Sequence, residues 1–391
     1  MPRWAYFVIF MLIAAAVLAA IHWFLWMRLV RDPQLAPAGR AAATMAIVVL
    51  ASSVPAIFIL GPLLSPPWRG LLAWPVFTWL GVMFLLLVVL LGVDVGRLTV
   101  KAFASVVNTP VGAGQSLLAA RVLAVGALAI VGVLSVLAVF NARSEPELRR
   151  IEVGVSGLPA SMDETTILFM SDIHLGATLG QGFARQLVES ANAVEPDIVA
   201  IAGDLVDYSV DLLRDDVAPL MALEARLGVF FVPGNHEYYA GIEPWVRELR
   251  RLGMEVLLNE HVAVGPAPGL VVAGVTDSAG ASIPGHAPDL DAALEGTDPS
   301  APVILLSHQP RMIAEAAEKG VALQLSGHTH HGQIWPFSFA VRLQQPYVRG
   351  LVRHGPTLLY TSPGTGYWGP PMRLGSRAEM TLVVLRAEGK L

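Results

Sequence analysis

Four long apolar stretches fill most of the first 142 residues and limit what this chain can fold into more than any other feature of its sequence. They run over residues 4–27, 41–64, 71–93 and 117–140 and contain almost no charged residues. Each reaches the ~20 residues that an α-helix needs to cross the hydrocarbon layer of a membrane. Tryptophans stand near several of the ends, as is typical of residues at the headgroup level. We therefore predict an N-terminal all-α transmembrane bundle of four helices over residues 1–142.

Two alternatives to this interpretation fit the sequence less well. A single apolar stretch could be a buried helix of a soluble core, but four in succession with charged connectors argue against that. The first stretch contains small residues of the kind that precede a signal-peptide cleavage site. Its apolar length is too great for a signal peptide and three more stretches follow, so we interpret it as an uncleaved anchor.

The basic residues between the stretches predict how the bundle is oriented. The first connector carries Arg28, Arg31 and Arg40, and the third carries Arg97 and Lys101, with Arg121 counted with them near the start of the fourth stretch. The second carries only Arg69. Short basic connectors face the cytoplasm. The first and third connectors are therefore expected in the cytoplasm, and the N-terminus and the segment after the fourth stretch are expected on the other side of the membrane. Three arginines just after the last stretch favour the opposite orientation, but they precede a large domain, where charge bias has less influence. The expected localisation is an integral protein of a bacterial-type inner or plasma membrane with an extracytoplasmic C-terminal domain.

One connector contains a glycine-rich segment, NTPVGAGQS at residues 108–116. It follows no strand-like run and lacks the Lys-Ser/Thr pair of a phosphate-binding loop. We interpret it as a flexible loop between helices.

Beyond residue 142 the charge balance changes sign. Residues 1–142 hold eight basic and two acidic residues, and the remaining 249 hold 18 basic and 29 acidic residues. An acidic domain is a poor match for the phosphate backbone, so nucleic acid is not the expected partner. The lack of cysteine excludes disulfides and thiolate chemistry and is compatible with either side of a membrane. The oligomeric state stays open.

The C-terminal part alternates between short apolar runs and helical patterns. Residues 143–165 are interpreted as a linker leading into a domain at 166–391. Within this domain, five runs of four to seven mainly apolar residues each end in Gly or Ser followed by Asp, Asn or His. Apolar spacing near 3.6 between the first two runs, at residues 182–194, predicts a helix. The alternation predicts an α/β domain whose five strand ends meet at one edge of a sheet, where ligands of open α/β sheets bind.

The polar residues at the five strand ends form a set of possible metal ligands. They are Asp172, His174, Asp204, Asp207, Asn235, His236, His308, His328 and His330. Carboxylates, an amide oxygen and imidazoles without sulfur suit Mn, Fe or Zn. The Asp-x-His and His-x-His spacings would put both side chains on one face of an extended segment. The set is too large for one four-coordinate ion, but it fits two divalent ions that share a bridging carboxylate.

Two metal ions about 3.5–4 Å apart form the arrangement that enzymes use for in-line displacement at phosphorus. Such ions bind phosphate oxygens and lower the pKa of a bridging water, so that hydroxide is available near neutral pH. An imidazole that is not needed as a ligand can protonate the leaving oxygen. The residue types therefore favour phosphoester hydrolysis.

Five blocks in this order, SDIHLG, GDLVD, GNHE, SHQP and GHTHHGQ, resemble the signature of the calcineurin-like metallophosphoesterase family. The resemblance covers about residues 168–386 and is closest to the membrane-associated bacterial phosphodiesterase branch. It implies a two-sheet α/β sandwich flanked by helices. The ligands it implies are Asp172, His174 and His330 for one ion, Asn235, His308 and His328 for the other, and Asp204 as the bridge. It also implies that His236 donates a proton to the leaving group and that Asp207 orients His236 and keeps it charged.

The leading hypothesis from the sequence is a membrane-anchored, binuclear metal-dependent phosphohydrolase. A phosphodiester substrate is favoured, and membrane placement suggests that it is lipid-linked or envelope-associated. The alternative is a non-enzymatic membrane protein, either a sensor with a metal-binding domain or a transporter-like protein. The complete ligand set and the His236–Asp207 pair count against a binding-only domain. The lack of charge within the four stretches counts against transport.

Several residues near the motifs have interpretations of their own. His331 lies outside the family pattern and is expected to be a surface residue or one that supports the ligands. Glu237 is expected to be structural, and Asp207 could also cap the helix that follows it. Candidates for contact with an anionic substrate are Arg342, Arg349, Arg353 and Arg373. Aromatic residues that could contact lipid or pack in the core are Trp335, Phe337, Phe339, Tyr367 and Trp368.

Overall fold

The computed structural model describes residues 3–107, 117–267 and 269–387. The glycine-rich loop expected at 108–116 lies outside these residues. Two compact units make up the chain: Met1–Phe140 with Gly369–Met372, and Asn141–Trp368 with Arg373–Leu391. We call them the helical unit and the α/β unit.

Four long helices account for most of the described residues in the N-terminal part of the chain. They are α1 (Arg3–Trp26), α2 (Pro37–Leu60), α3 (Pro66–Val106) and α4 (Leu117–Arg143). All four are long and apolar enough to cross a membrane. Most of each apolar window is not buried inside the structure, with buried shares between 11% and 28%. Helices with exposed Leu, Val and Phe surfaces are what a hydrocarbon solvent requires, because their backbone groups are satisfied internally. The prediction of four apolar helices is confirmed.

Helix α3 is longer than the sequence predicted. It continues through Arg97 and Lys101, which were expected in a connector, and has 41 residues. At ~1.5 Å per residue it would be roughly 60 Å long, about twice the hydrocarbon thickness. Its internal proline is Pro75, so no proline stops the helix where the apolar run ends. The apolar run therefore predicts which segment of α3 fits a membrane, but it does not predict where the helix ends.

Two six-stranded sheets form the centre of the α/β unit. The strands are β1 (Glu147–Val155), β2 (Thr166–Met170), β3 (Ile198–Ala202), β4 (Val229–Val232), β5 (Glu255–Val256), β6 (Glu260–Val264), β7 (Leu270–Gly274), β8 (Val303–Leu306), β9 (Leu323–Ser326), β10 (Gly350–His354), β11 (Thr357–Thr361) and β12 (Glu379–Ala387). The first sheet has the order β1-β12-β2-β3-β4-β5, and the second has the order β10-β11-β9-β8-β7-β6. Strands β2, β3 and β4 are parallel neighbours, as are β7, β8 and β9.

The main core lies between the two sheets. Phe169 and Phe230 of the first sheet pack in one buried cluster with Leu306 and Tyr360 of the second. The rings of Phe169 and Tyr360 meet edge to face, with centroids 6.3 Å apart. Side chains at alternate positions of a strand point to opposite faces. The neighbours Ile167 and Phe169 therefore face the second sheet while the residue between them faces outward.

The described part of the α/β unit contains helices that flank the two sheets, and several of them pack on the outer faces. The helices are α5 (Gln181–Asn192), α6 (Val210–Val217), α7 (Asn235–Ala240), α8 (Ile242–Arg251), α9 (Leu290–Leu294), α10 (Ile313–Glu318) and α11 (Ser338–Val341). Leu187 of α5 and Trp245 of α8 are buried in one cluster with Leu168 of the first sheet. Ala293 of α9 packs in a second cluster with Val271 of the other sheet. The predicted two-sheet α/β sandwich flanked by helices is confirmed.

The arrangement differs from the sequence-based expectation in two places. Strand β1 lies within 143–165, where a linker was expected, and pairs in parallel with β12. Most of its side chains are exposed, so no apolar run identified it. The five motif-bearing strands also do not share one sheet edge: β2, β3 and β4 belong to the first sheet, and β8 and β9 belong to the second. Apolar runs identify strands, but the assignment of strands to sheets depends on contacts between distant segments.

Candidate metal centre

The loops after β2, β3, β4, β8 and β9 bring the nine predicted site residues together. Contacts within 4 Å connect them in one continuous network of backbone and side-chain groups. The members are Asp172, His174, Asp204, Asp207, Asn235, His236, His308, His328 and His330. Two sheets therefore supply one site, with the first sheet giving six residues and the second giving three.

The first possible ligand group consists of Asp172, His174 and His330, all three of which are buried. One ligand atom from each lies within 4.8 Å of the others. His174 Nε2 is 3.1 Å from His330 Nε2, and Asp172 Oδ1 is 3.4 Å from that same nitrogen. Three donor atoms that converge on one small volume are arranged as a metal ion requires.

The second possible ligand group consists of Asp204, His308 and His328. His308 Nε2 lies 3.1 Å from His328 Nδ1 and 3.2 Å from Asp204 Oδ2. The side-chain oxygen of Asn235 lies 3.3 Å from the same His308 nitrogen. A carboxylate, an amide oxygen and two imidazoles therefore point at a second common volume.

Asp204 lies between the two groups. Its Oδ2 is 3.2 Å from His308 Nε2 of the second group and 3.9 Å from His174 Nε2 of the first. Its other oxygen accepts a hydrogen bond from the backbone N–H of His236 at 2.8 Å. The position of this carboxylate is the one that a bridging ligand would need.

Two hydrogen bonds fix which nitrogen of each imidazole faces the ligand groups. His308 Nδ1 lies 2.8 Å from the carbonyl oxygen of Ala202, and an imidazole nitrogen must carry hydrogen to bond to a carbonyl. His174 Nδ1 lies 2.7 Å from Asp207 Oδ1. In both rings Nδ1 is engaged by these oxygens, and Nε2 is the nitrogen directed into the centre. Such support is typical of metal-binding histidines.

His236 and Asp207 form a pair at the margin of the centre. His236 Nδ1 lies 2.8 Å from Asp207 Oδ1, the same oxygen that contacts His174. Burial opposes a charge on His236, but the hydrogen bond to Asp207 and the nearby carboxylates raise its pKa to about 9. Burial also opposes ionisation of Asp207, yet the two histidines lower its pKa to about 2. The imidazole is therefore protonated near neutral pH beside an ionised carboxylate.

The pKa shifts of His328 and His330 favour metal binding, whereas that of His308 opposes it. Burial and the charge of His308 lower the pKa of His328 to about 3. Burial, His174 and Arg373 hold the pKa of His330 well below its usual range. Neutral imidazole is the form that binds a metal ion. Burial opposes a charge on His308, but Asp204 raises its pKa well above the usual range, so a metal ion would have to displace a proton there.

The backbone around the ligands is not the extended chain that the motif spacing suggested. Asp172 and His174 have φ values of 53° and 52°, and His328 and His330 have values of 68° and 48°. Residues with a Cβ seldom adopt positive φ, and such conformations gather at functional sites. The paired side chains converge because of these left-handed turns after β2 and β9. The expectation that strand alternation brings them together is wrong.

Glu237, which was expected to be structural, supports the loop that carries Asp204. Its fully buried carboxylate accepts hydrogen bonds from the backbone N–H groups of Asp204, Leu205, Val206 and Gly234, at 2.7–3.3 Å. Asp207 does not cap the following helix, because Ser209 occupies that position before α6.

Close packing explains the glycines of two motifs. A Cβ on Gly234 would collide with the carboxylate of Asp204, and one on Gly327 would collide with that of Asp172. The motif glycines therefore let the ligand loops approach each other.

Arg373 is not available to a substrate, contrary to its interpretation as a candidate. It is fully buried, and its guanidinium donates to the carbonyl oxygens of Pro363 and Gly366 and to Ser376 Oγ. These bonds hold the loop before β12 against the centre. His331 is partly buried, and it belongs to neither of the two ligand groups defined above nor to the cluster of His174, Asp207 and His236, which are the groups of possible ligands among the described residues.

The aromatic residues around the histidine motif divide into two kinds. Tyr367 is 4% exposed and packs with Leu179. Trp335, Phe337, Phe339 and Trp368 are 47% to 62% exposed. Core packing therefore accounts for one of the five, and four present apolar surface.

The residues present fit divalent metal ions. Their donors are carboxylate, imidazole and amide groups without sulfur, which suit Mn, Fe or Zn. The donor atoms come from segments that directly follow strands. Backbone groups contact some of them, as the N–H of His328 does Asp172 and the carbonyl of Ala202 does His308. Asp172, His174 and His330 would hold one ion, and Asn235, His308 and His328 would hold a second, with Asp204 shared.

Comparison with known proteins identifies relatives over this region. Residues 165–332 match the model of the calcineurin-like phosphoesterase family. A transmembrane protein with metallophosphoesterase domain from Bos taurus is 43% identical over 274 residues, which cover 67% of this chain and 62% of the relative. An uncharacterized metallophosphoesterase of Helicobacter pylori is 44% identical over 224 residues, covering 57% of this chain and 60% of the relative. One of Campylobacter jejuni is 37% identical over 264 residues, covering 66% of this chain and 68% of the relative.

The chain spans about three-fifths of the length of the first two relatives. The region matched by the family model includes every residue of the candidate centre, from Asp172 to His330. On the strength of this region and of the Campylobacter relative, the chain belongs to the calcineurin-like metallophosphoesterase family.

Proposed function

We propose that this protein is a membrane-anchored, binuclear metal-dependent phosphohydrolase that acts on phosphodiesters. The observation that carries the proposal is Asp204, whose carboxylate lies within 4 Å of His174 in one ligand group and of His308 in the other. The His236–Asp207 pair lies next to Asp204, and the ring of His236 is not one of the two imidazoles that contact the Asp204 carboxylate in the ligand groups. A shared carboxylate with an additional charged imidazole is the combination that phosphoester hydrolysis needs.

Divalent ions held here would polarise phosphoryl oxygens and lower the pKa of the attacking water. The chain's own part is to fix the ligands and to provide the proton. His236 binds Asp207 through Nδ1, so its proton on Nε2 is free to be donated. As the bond between phosphorus and the leaving oxygen breaks, that oxygen takes the Nε2 proton. Asp207 stabilises the imidazolium beforehand and keeps the ring oriented.

Membrane placement supports a lipid-linked or envelope-associated substrate. The four apolar helices precede the α/β unit directly, and only three residues separate the end of α4 at Arg143 from the start of β1 at Glu147. A domain tethered this closely meets esters at the membrane surface at high effective concentration. The relative from Bos taurus also carries a transmembrane part in its name.

Hydrolysis should depend entirely on added divalent metal. The full-length chain in detergent is expected to hydrolyse bis(4-nitrophenyl) phosphate with Mn present, to lose activity after chelation and to recover it when metal is restored. Turnover of 4-nitrophenyl phosphate, a monoester, should be slower. The measurement is release of nitrophenolate, and Mn, Fe and Zn are compared in parallel. Folded, metal-loaded protein that turns over neither ester would favour the alternative of a metal-binding sensor.

The basic connectors support an extracytoplasmic position for the α/β unit. Because the chain has no cysteine, single cysteines can report its topology. Ser282→Cys lies on an exposed loop of the α/β unit, and Ala36→Cys lies in the connector between α1 and α2. A membrane-impermeant maleimide should label the first in intact cells and the second only after permeabilisation. The reverse pattern would put the α/β unit in the cytoplasm.

A further inference from the structure

Two exposed aromatic rings lie beside the imidazole of His236. Tyr239 is 73% exposed, and its ring centroid is 5.6 Å from that of His236. Trp368 is 52% exposed, with its ring centroid 6.3 Å from that of His236. Single exposed aromatic residues are ordinary on protein surfaces, but two beside one proton-donating imidazole form a local apolar surface at the reacting group.

The two rings come from different parts of the fold. Tyr239 stands on α7, three residues after His236, so the helix fixes its distance from the imidazole. Trp368 stands in the loop between β11 and β12, far away in sequence. The surface beside His236 is therefore assembled by the tertiary fold.

Gln333 holds the backbone of Trp368 in place. Its side-chain oxygen accepts a hydrogen bond from Trp368 N–H at 2.9 Å, and its side-chain nitrogen donates to the Trp368 carbonyl at 2.9 Å. Gln333 is 7% exposed, and its own carbonyl accepts from Leu374 N–H at 2.9 Å. The residue that ends the GHTHHGQ block thus connects the last ligand loop to the loop that carries Trp368.

We propose that Tyr239 and Trp368 form a subsite for a leaving group that carries a planar ring, and that Gln333 is the positioning residue for Trp368. This rests on the proposed function, because the group that receives the proton of His236 is the leaving group. Whatever is attached to that oxygen must lie next to the imidazole. Aromatic pairs interact at centroid distances of about 4.5–7 Å, and Tyr239 and Trp368 both lie at such distances from the ring of His236.

The test uses the full-length chain in detergent with the metal that supports turnover. The substrates are methyl phosphodiesters with phenyl, uridine 5′-yl and 2,2,2-trifluoroethyl leaving groups. Comparing each variant with the wild type on the same substrate removes differences in intrinsic reactivity. Comparing the phenyl substrate with the uridine substrate shows whether the subsite favours any aromatic ring or a nucleobase in particular.

Trp368→Ala and Tyr239→Ala are each expected to lower kcat/KM about 3- to 10-fold for a ring-bearing leaving group, and by less than about 2-fold for trifluoroethyl. Trp368→Phe should retain most of the wild-type value. Gln333→Ala should lower kcat/KM for the same substrates as Trp368→Ala. The double variant should show no greater loss in kcat/KM than Trp368→Ala alone. Trp335→Ala removes a tryptophan of similar exposure outside the subsite, 54%, and should change none of the three rates.

Equal losses on all three substrates would overturn the subsite and indicate damage to the centre or the fold. No loss on any substrate would overturn it as well. If the wild type hydrolyses none of them, the proposed function fails, and binding alone decides the subsite. Phenyl phosphate must then bind the metal-loaded wild type more tightly than trifluoroethyl phosphate, and Trp368→Ala must remove that difference. Equal binding of the two esters by the wild type would refute the subsite.

Discussion

Replacing Asp204 by asparagine should lower kcat/KM for phosphodiester hydrolysis by roughly 10³-fold or more. The substitution keeps the size of the side chain and an oxygen that can accept from His236 N–H, but it removes the negative charge between the two ligand groups. A lost bridging carboxylate forfeits several kcal/mol of charge stabilisation, and each ~1.4 kcal/mol is tenfold in rate. The assay is steady-state hydrolysis of bis(4-nitrophenyl) phosphate by the full-length chain.

Metal content distinguishes this result from simple misfolding. Elemental analysis should give two ions per wild-type chain and one or fewer in Asp204→Asn, while the thermal unfolding transition of the variant stays cooperative. Asp211→Asn is the matched control, because Asp211 is an exposed carboxylate in the first turn of α6. It should alter neither activity nor metal content. An Asp204→Asn protein with two ions and wild-type turnover would show that the carboxylate does not bridge.

Replacing His236 by alanine should lower kcat about 10²- to 10⁴-fold, the usual contribution of a general acid. The ring of His236 contacts Asp207, whereas Asp204 is contacted by the rings of His174 and His308. The metal content of the variant should therefore stay at the wild-type value. The loss should be largest for alkyl leaving groups and smallest for 4-nitrophenol, a weak base that departs without a proton. The measurement is kcat against a series of phosphodiesters of graded leaving-group basicity.

Two further variants make the assignment specific. Asp207→Asn should reproduce the leaving-group dependence with a smaller loss, because the imidazole remains but loses the carboxylate that keeps it charged. His354→Ala is the matched control, since His354 contacts Tyr347 at the end of β10 and takes no part in the network around Asp204. Loss of both ions from His236→Ala, or equal losses for all leaving groups, would remove His236 from the role of proton donor.

The sequence predicted the parts of the centre that depend on short segments. The five strand ends are local patterns, and the order of the blocks is specific enough to identify the family. The candidate ligands then follow motif by motif, and the fold brings all of them into one network. Local patterns do not predict the backbone geometry. Asp172 and His328 lie in left-handed turns, although the spacing of their motifs predicted an extended chain.

Residues whose partners are distant in sequence escaped prediction. Gln333 and Trp368 are 35 positions apart, and only the folded chain makes their two hydrogen bonds visible. The sequence made Arg373 a candidate for contact with an anionic substrate, yet it is buried and the carbonyl groups of its own loop accept its hydrogen bonds. Strand β1 escaped for a related reason, since its mostly exposed side chains leave no apolar run.

The position of β12 has a consequence for how this protein is made. Among the described strands β12 comes last in chain order, yet it lies between β1 and β2 and pairs with both. On the ribosome, α1 to α4 can therefore enter the membrane while the first sheet still lacks an inner strand. Until β12 emerges, the nascent β1 and one edge of β2 are unpaired and open to association with other chains. Membrane insertion and completion of the first sheet are thus separate events in time, and in the interval between them these unpaired strand edges are exposed to other chains.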